Sequence, residues 1–186
     1  MDKLSKVKMN ILEFLWLANE PIRLKDIAKS LGLKARCVNM HLLNLKRGGY
    51  VATINGGLYV LTDLGKEALG FPKIDGEAAK KILSPVTFER AFHFYSEIDR
   101  PLMISSYSLD DFYEKVRKID LKSIEFHSTR GDFEEWIRSL GDIELARRLR
   151  VIRESNVLGE ELREKICKNV KSRCEELRRI ALGAQK

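Results

Sequence analysis

The stretch LKDIAKSLGLKARCVNMHLLNLKRGGYV, residues 24–51, decides the reading of the first third of this chain. Leu24, Ile27, Ala28 and Leu31 fall at helical spacing and predict a short helix. Gly32 then supplies a sharp turn, because glycine accepts backbone angles that other residues resist. Val38, Leu42 and Leu45 form the buried stripe of a further helix, expected over Ala35–Arg47 and stopped by the Gly48-Gly49 pair. Working outward, Leu4, Val7, Ile11 and Leu15 predict an amphipathic helix over 3–18, with Pro21 beyond its end. On the other side, residues 50–54 and 58–61 read as two strands joined by Asn55-Gly56-Gly57. Asn-Gly is the strongest short hairpin signal, since both turn residues must accept positive φ.

Charge follows the same division. The 186 residues carry a net charge of +7, with 44% hydrophobic and 33% charged residues. Residues 1–70 hold 11 Lys plus Arg against 6 Asp plus Glu, while residues 71–186 hold 23 against 21. The basic excess therefore sits in the first third, as in a nucleic-acid module, although a solvated charged surface explains it equally well. No apolar run approaches the roughly 20 residues of a membrane span. The opening residues carry no secretory pattern. Cys37, Cys167 and Cys174 are too few and too scattered for a disulfide framework or a zinc site. A cytoplasmic protein is the expectation, with no cofactor and no metal. Gln185 is the one glutamine beside abundant Lys, Arg and Glu, which matches the thermophile trend.

Residues 24–51, followed by GLYVLTDLGKEAL at 57–69, resemble the winged-helix branch of the helix-turn-helix transcription regulators. The likeness covers about residues 3–69. It rests on small Ala28, Gly32 in the turn, His41-Leu42 in the third helix, and the glycines before the strand. The resemblance implies a recognition helix at Ala35–Arg47 that enters the major groove of double-stranded DNA. With Val38, Leu42 and Leu45 committed to the core, the opposite face carries Lys34, Ala35, Arg36, Asn39, Met40 and Leu43. Arg36 suits a bidentate pair with guanine, and Asn39 a pair with adenine. Lys34, Lys46 and Arg47 are placed for phosphates. Asn55 joins this DNA-facing set at the wing tip, which has no Lys or Arg for the minor groove. The alternative is a protein–protein adaptor, in which Met40 and Leu43 form an apolar docking patch. His41 reads as a structural histidine and Cys37 as a small buried apolar residue.

The expected fold class is α+β: a winged helix-turn-helix (1–70), a connector (71–87) with one short helix around Glu77 to Leu83, and an α+β domain with C-terminal helices (88–186) serving a sensor or dimerisation role. Ten of the chain's 15 aromatic residues lie between Phe88 and Trp136. Strands are predicted at 88–95, 102–106 and 123–127 (SIEFH). Ser108 and Asp111 form a capping box ahead of a helix over 109–118, and Asp132 with Glu135 a similar box ahead of Phe133, Trp136, Ile137 and Leu140. The stretch from Phe92 to Leu149 is similar to a small domain family of unknown function from archaea, a likeness that spans about 88–182 with its helical tail and implies no activity.

His93, His127, Arg130 and Asp132 are the residues here that could serve chemistry. Two histidines without ligand-spaced partners make no metal site. Arg130 and Asp132 read as a salt bridge and a cap, so no enzyme is expected. An aromatic pocket leaves room for a small-molecule or anionic effector. In the tail, Leu145, Leu149 and Ile152, then Leu162, Ile166, Val170, Cys174, Leu177 and Ala181, predict two amphipathic helices. Their basic residues, Arg147, Arg148, Arg150, Arg153, Lys165, Lys168, Lys171 and Arg173, read as solvated faces. The pair could also join a second subunit in a homodimer, which would suit two DNA half-sites.

Overall fold

The structure is a computed structural model that describes residues 4–183. Lys3 of the predicted first helix and residues 184–186 of the predicted C-terminal domain lie outside them. The chain is mixed α and β, divided into two compact units between Lys73 and Ile74.

The first unit runs α1 (Lys6–Ala18), α2 (Leu24–Ser30), α3 (Ala35–Arg47), β1 (Val51–Ile54), β2 (Leu58–Leu61) and α4 (Asp63–Ala68). Its core joins Ile11, Leu12 and Leu15 of α1, Ile27 and Ala28 of α2, and Val38, Leu42 and Leu45 of α3. These are the periodic apolar positions of the three helices, and burying them is what stabilises helices too short to stand alone. β1 and β2 pair antiparallel from Val51↔Leu61 to Ile54↔Leu58, so the connection is the three residues Asn55, Gly56 and Gly57. The hairpin also gains a partner from the α1–α2 segment: Ile22 and Tyr59 exchange both backbone hydrogen bonds, at 3.0 and 2.8 Å.

One glycine fixes how α4 meets the hairpin. Gly65 is buried, and a Cβ there would lie 2.3 Å from the Tyr50 carbonyl oxygen and 2.5 Å from Leu61 Cδ1. Thr62 completes the joint. Its hydroxyl donates to the Gly49 carbonyl at 2.6 Å and accepts from the Gly65 N–H at 3.1 Å, capping α4 and holding the end of α3 beside it.

The second unit runs α5 (Gly76–Leu83), a 3-10 turn (Phe88–Arg90), β3 (Phe92–Glu97), β4 (Arg100–Ser106), α6 (Leu109–Val116), α7 (Leu121–Arg130), α8 (Asp132–Leu140), α9 (Ile143–Glu154) and α10 (Gly159–Ala181). α10 packs against α5, α6, α7 and α9, and α7 packs against β3. Phe92, Phe94, Phe112, Phe133 and Trp136 form a connected aromatic core, with ring centroids 4.9–6.5 Å apart.

Several expectations are corrected here. The short helix expected within the connector is α5, which buries Ala79 and Ile82 in the second core and packs on α10, so this part of the segment belongs to the second unit. The segment 123–127 is not a strand but the middle of α7. Ile124, His127 and Ser128 share its buried face, and the Asp120 side chain caps its start by accepting from the Lys122 N–H at 2.7 Å. The sheet is therefore a two-stranded hairpin, and the strand predicted at 88–95 begins only at Phe92. Ser108 caps α6 as expected, but Asp111 reaches the Tyr107 N–H at 2.9 Å instead of closing the box on Ser108. Asp132 caps nothing. α8 starts at Gly131, whose φ of +77° lets α7 end and α8 begin without a spacer, and the Asp132 carboxylate turns to His127 and Arg130. Arg148 and Arg173 are buried, at 8% and 4% exposure, and not on solvated faces.

Candidate functional site

Two places bring chemically capable residues together. The first is the outer face of α3. Val38, Leu42 and Leu45 point into the core with at most 1% exposure. The helical period of 3.6 residues then sends Arg36, Asn39, Met40, Leu43 and Arg47 to the opposite side as one stripe, and all of them are exposed. Met40 is 53% and Leu43 44% exposed, so the stripe is basic at both ends, with the Asn39 amide and two apolar side chains between. Lys34 sits exposed at the helix start and makes no side-chain cap, so its ammonium adds to the positive end of the helix dipole. Lys46 is exposed too, but its Nζ donates to Thr53 Oγ1 at 2.6 Å, which lays it along the hairpin. Asn55 is exposed at the hairpin tip with φ of +35°. His41 and Cys37 are half-buried at the sides of the stripe.

Sequence reasoning had no place for Thr62, yet its two hydrogen bonds tie the end of α3 to α4. The Thr-Asp-Leu-Gly order at 62–65 was the available signal, as a helix cap followed by a small residue.

The second place is an open cleft of about 430 Å³ in the second unit, between the β3–β4 turn and the α7–α8 junction. All four residues singled out by the sequence, His93, His127, Arg130 and Asp132, line it. His127 is buried and fully engaged. Its Nε2 accepts from the Tyr95 N–H at 2.8 Å, so the ring proton belongs on Nδ1, which donates to Asp132 Oδ2 at 2.8 Å. Burial lowers its pKa, outweighing the Asp132 carboxylate, so the ring is held neutral. His93 is similarly committed: Nε2 donates to the Phe88 carbonyl at 3.1 Å, and Nδ1 accepts the Ser105 hydroxyl at 2.7 Å. With both ring nitrogens in use on each, these histidines orient backbone and neighbours. The exposed polar partner is Arg130, whose Nε donates to the same Asp132 Oδ2 at 3.1 Å.

Apart from the cleft, a buried ion network joins the start of α9 to α10. Arg173 of α10 donates to Asp142 twice, at 2.7 and 3.1 Å, and to Glu144 at 2.8 Å and Glu176 at 2.7 Å. Arg148 donates to the other Glu144 oxygen at 3.0 Å. Asp142 also caps α9 by accepting from the Leu145 N–H at 3.0 Å. Burial alone would lower the Arg173 pKa; Asp142, Glu144 and Glu176 outweigh it and raise it. Burial pushes the Cys174 thiol up to about 12 and raises that of Cys167, so neither is a ready thiolate. Among the described residues, no three His, Cys, Asp or Glu side chains are placed to hold a metal ion, and no helix is long and apolar enough to cross a membrane.

No curated protein matches the chain. A family model does: it spans residues 78–171, from within α5 into α10, and so takes in the aromatic core, the cleft, and Asp142, Glu144 and Arg148 of the ion network but not Arg173. The match covers half of the sequence, and on it this chain belongs to a family of unknown function, DUF5752.

Proposed function

We propose that the protein is a DNA-binding transcriptional regulator that acts from the cytoplasm through a winged helix-turn-helix in its first unit. The observation that carries this reading is the exposed stripe on α3, with Arg36 and Asn39 presented away from a core that fixes the helix. Arg36 reads guanine and Asn39 adenine, while Met40 and Leu43 offer apolar contact to thymine methyls. Lys34, Lys46 and Arg47 hold phosphates, and the positive start of α3 favours one more. Asn55 approaches the backbone from the hairpin tip. The second unit serves as a sensor or homodimerisation module, and two copies would address two half-sites about one helical turn apart.

The exposed Met40 and Leu43 also favour a second reading, a protein–protein adaptor docking through this apolar patch. Salt separates the two. Three phosphate contacts per copy predict a slope of about −2.7 in log affinity against log salt, or roughly a 40-fold loss between about 50 and 200 mM. Fragments selected from random duplex by the purified protein supply the probe, and fluorescence anisotropy reads the affinity. Arg36→Ala should cost about 1–3 kcal/mol and relax base preference at one position. Duplex binding that is unchanged by Arg36→Ala, or flat with salt, refutes the assignment and leaves the adaptor.

A further inference from the structure

The cleft of the second unit has apolar walls, one arginine already paired through Nε with Asp132, and one carboxylate, Asp99, without an ion-pair partner among the described residues. Tyr95, Ile98 and Phe126 supply the walls. Arg130 supplies a cation held in place from two sides: its Nε bonds Asp132, and its guanidinium lies 5.1 Å from the Phe126 ring centroid. Among the described residues, no acceptor takes a hydrogen bond from its two terminal nitrogens, and the side chain is 52% exposed. That leaves a planar pair of N–H groups, already oriented, whose geometry matches a carboxylate.

The carboxylates in the cleft decide what else the ligand carries. Asp132 is matched by the His127 Nδ1–H and Arg130 Nε. Asp99, in the turn between β3 and β4, is exposed and has no ion-pair partner among the described residues. A simple anion would face two carboxylates with one arginine to answer them. A simple cation would leave the Arg130 fork unused. A zwitterion gives each end an opposite charge and leaves its apolar part for the walls.

We propose that this cleft binds a free α-amino acid with an apolar side chain, its carboxylate on Arg130, its ammonium on Asp99 and its side chain against Tyr95, Ile98 and Phe126. At about 430 Å³ and open to solvent, the cleft has room for a leucine- or phenylalanine-sized molecule. The inference stands apart from the DNA-binding reading, since it uses residues of the second unit alone.

The test is isothermal titration of the full chain with L-leucine and L-phenylalanine. Saturable 1:1 binding is expected, with 3-phenylpropionate, which lacks the ammonium, and phenethylamine, which lacks the carboxylate, each at least about tenfold weaker. Arg130→Gln and Asp99→Asn should each weaken amino-acid binding by at least about tenfold. The second is the safer variant, because Asp99 has φ of +60° and asparagine tolerates that conformation. Circular dichroism checks that both remain folded. No saturable heat at about 5 mM ligand, where a Kd of about 1 mM would leave the site mostly filled, overturns the proposal. So does Asp99→Asn binding as tightly as the parent, or the simple acid binding as tightly as the amino acid.

Discussion

Replacing Arg173 with methionine tests whether the second unit depends on its buried charges. The guanidinium is 4% exposed and makes four hydrogen bonds to three carboxylates, of which Asp142 is fully buried and Glu144 is 4% exposed. Methionine fills much of the same volume, so the packing loss is small and the electrostatic loss dominates. Arg148 still answers Glu144, and the Leu145 N–H still answers Asp142, but among the described residues no cation is left paired with Asp142. Breaking such a pair from one side costs about 3–5 kcal/mol, because the remaining charge is stranded. That is a large share of the roughly 5–15 kcal/mol that holds a domain together. For a unit of about 110 residues it corresponds to a fall in Tm of about 13–21 °C. Differential scanning calorimetry of the full chain reads this directly. Asp142→Asn added to Arg173→Met should recover part of the loss, since asparagine keeps the cap on α9 and removes the stranded charge. A single variant melting within about 3 °C of the parent, or a double variant no better than the single, would show that the network is solvated and contributes little.

Gly65→Ala should destabilise the first unit by about 1–3 kcal/mol, since the new Cβ would meet a backbone oxygen at 2.3 Å that cannot swing away; guanidinium melts of the variant measure it. His127 predicts a pH dependence. Its folded pKa lies below its unfolded value of about 6.5, so the stability it contributes is complete above that pH and is lost as pH falls below it. Chemical melts between about pH 7 and 5 should show the second unit weakening on acidification, and His127→Gln should flatten that slope by less than one proton. An unchanged slope would mean that His127 charges freely in the fold.

Much of the first unit was legible because its signals are local. A stripe at 24, 27, 28 and 31, a glycine, and a second stripe at 38, 42 and 45 specify helix, turn and helix without reference to the rest of the chain. The exposed residues of α3 follow from the same arithmetic, since the face opposite a buried stripe is outward unless something covers it. The segment 123–127 was misread because five residues of SIEFH satisfy a strand's alternation as well as a helix's turn. Only Asp120 as a cap and Ser128 as a further buried position resolve it. Arg148 and Arg173 were misread because a charged residue on an amphipathic helix usually faces water. Their partners Asp142 and Glu144 come from the start of α9, up to 31 positions away from Arg173.

The cleft shows the division most clearly. Residue types and spacing singled out His93, His127, Arg130 and Asp132. The sequence alone determined the helices of the first unit, the hairpin signal, the basic first third and the aromatic middle, because periodicity, turn chemistry and composition act over a few residues. The tertiary structure decided that β3 delivers the Tyr95 N–H to His127, that this ring is thereby neutral and occupied, and that Arg130 is the group left facing solvent. Hydrogen-bond partners 32 residues apart are chosen by the way elements pack, and no local pattern records that choice.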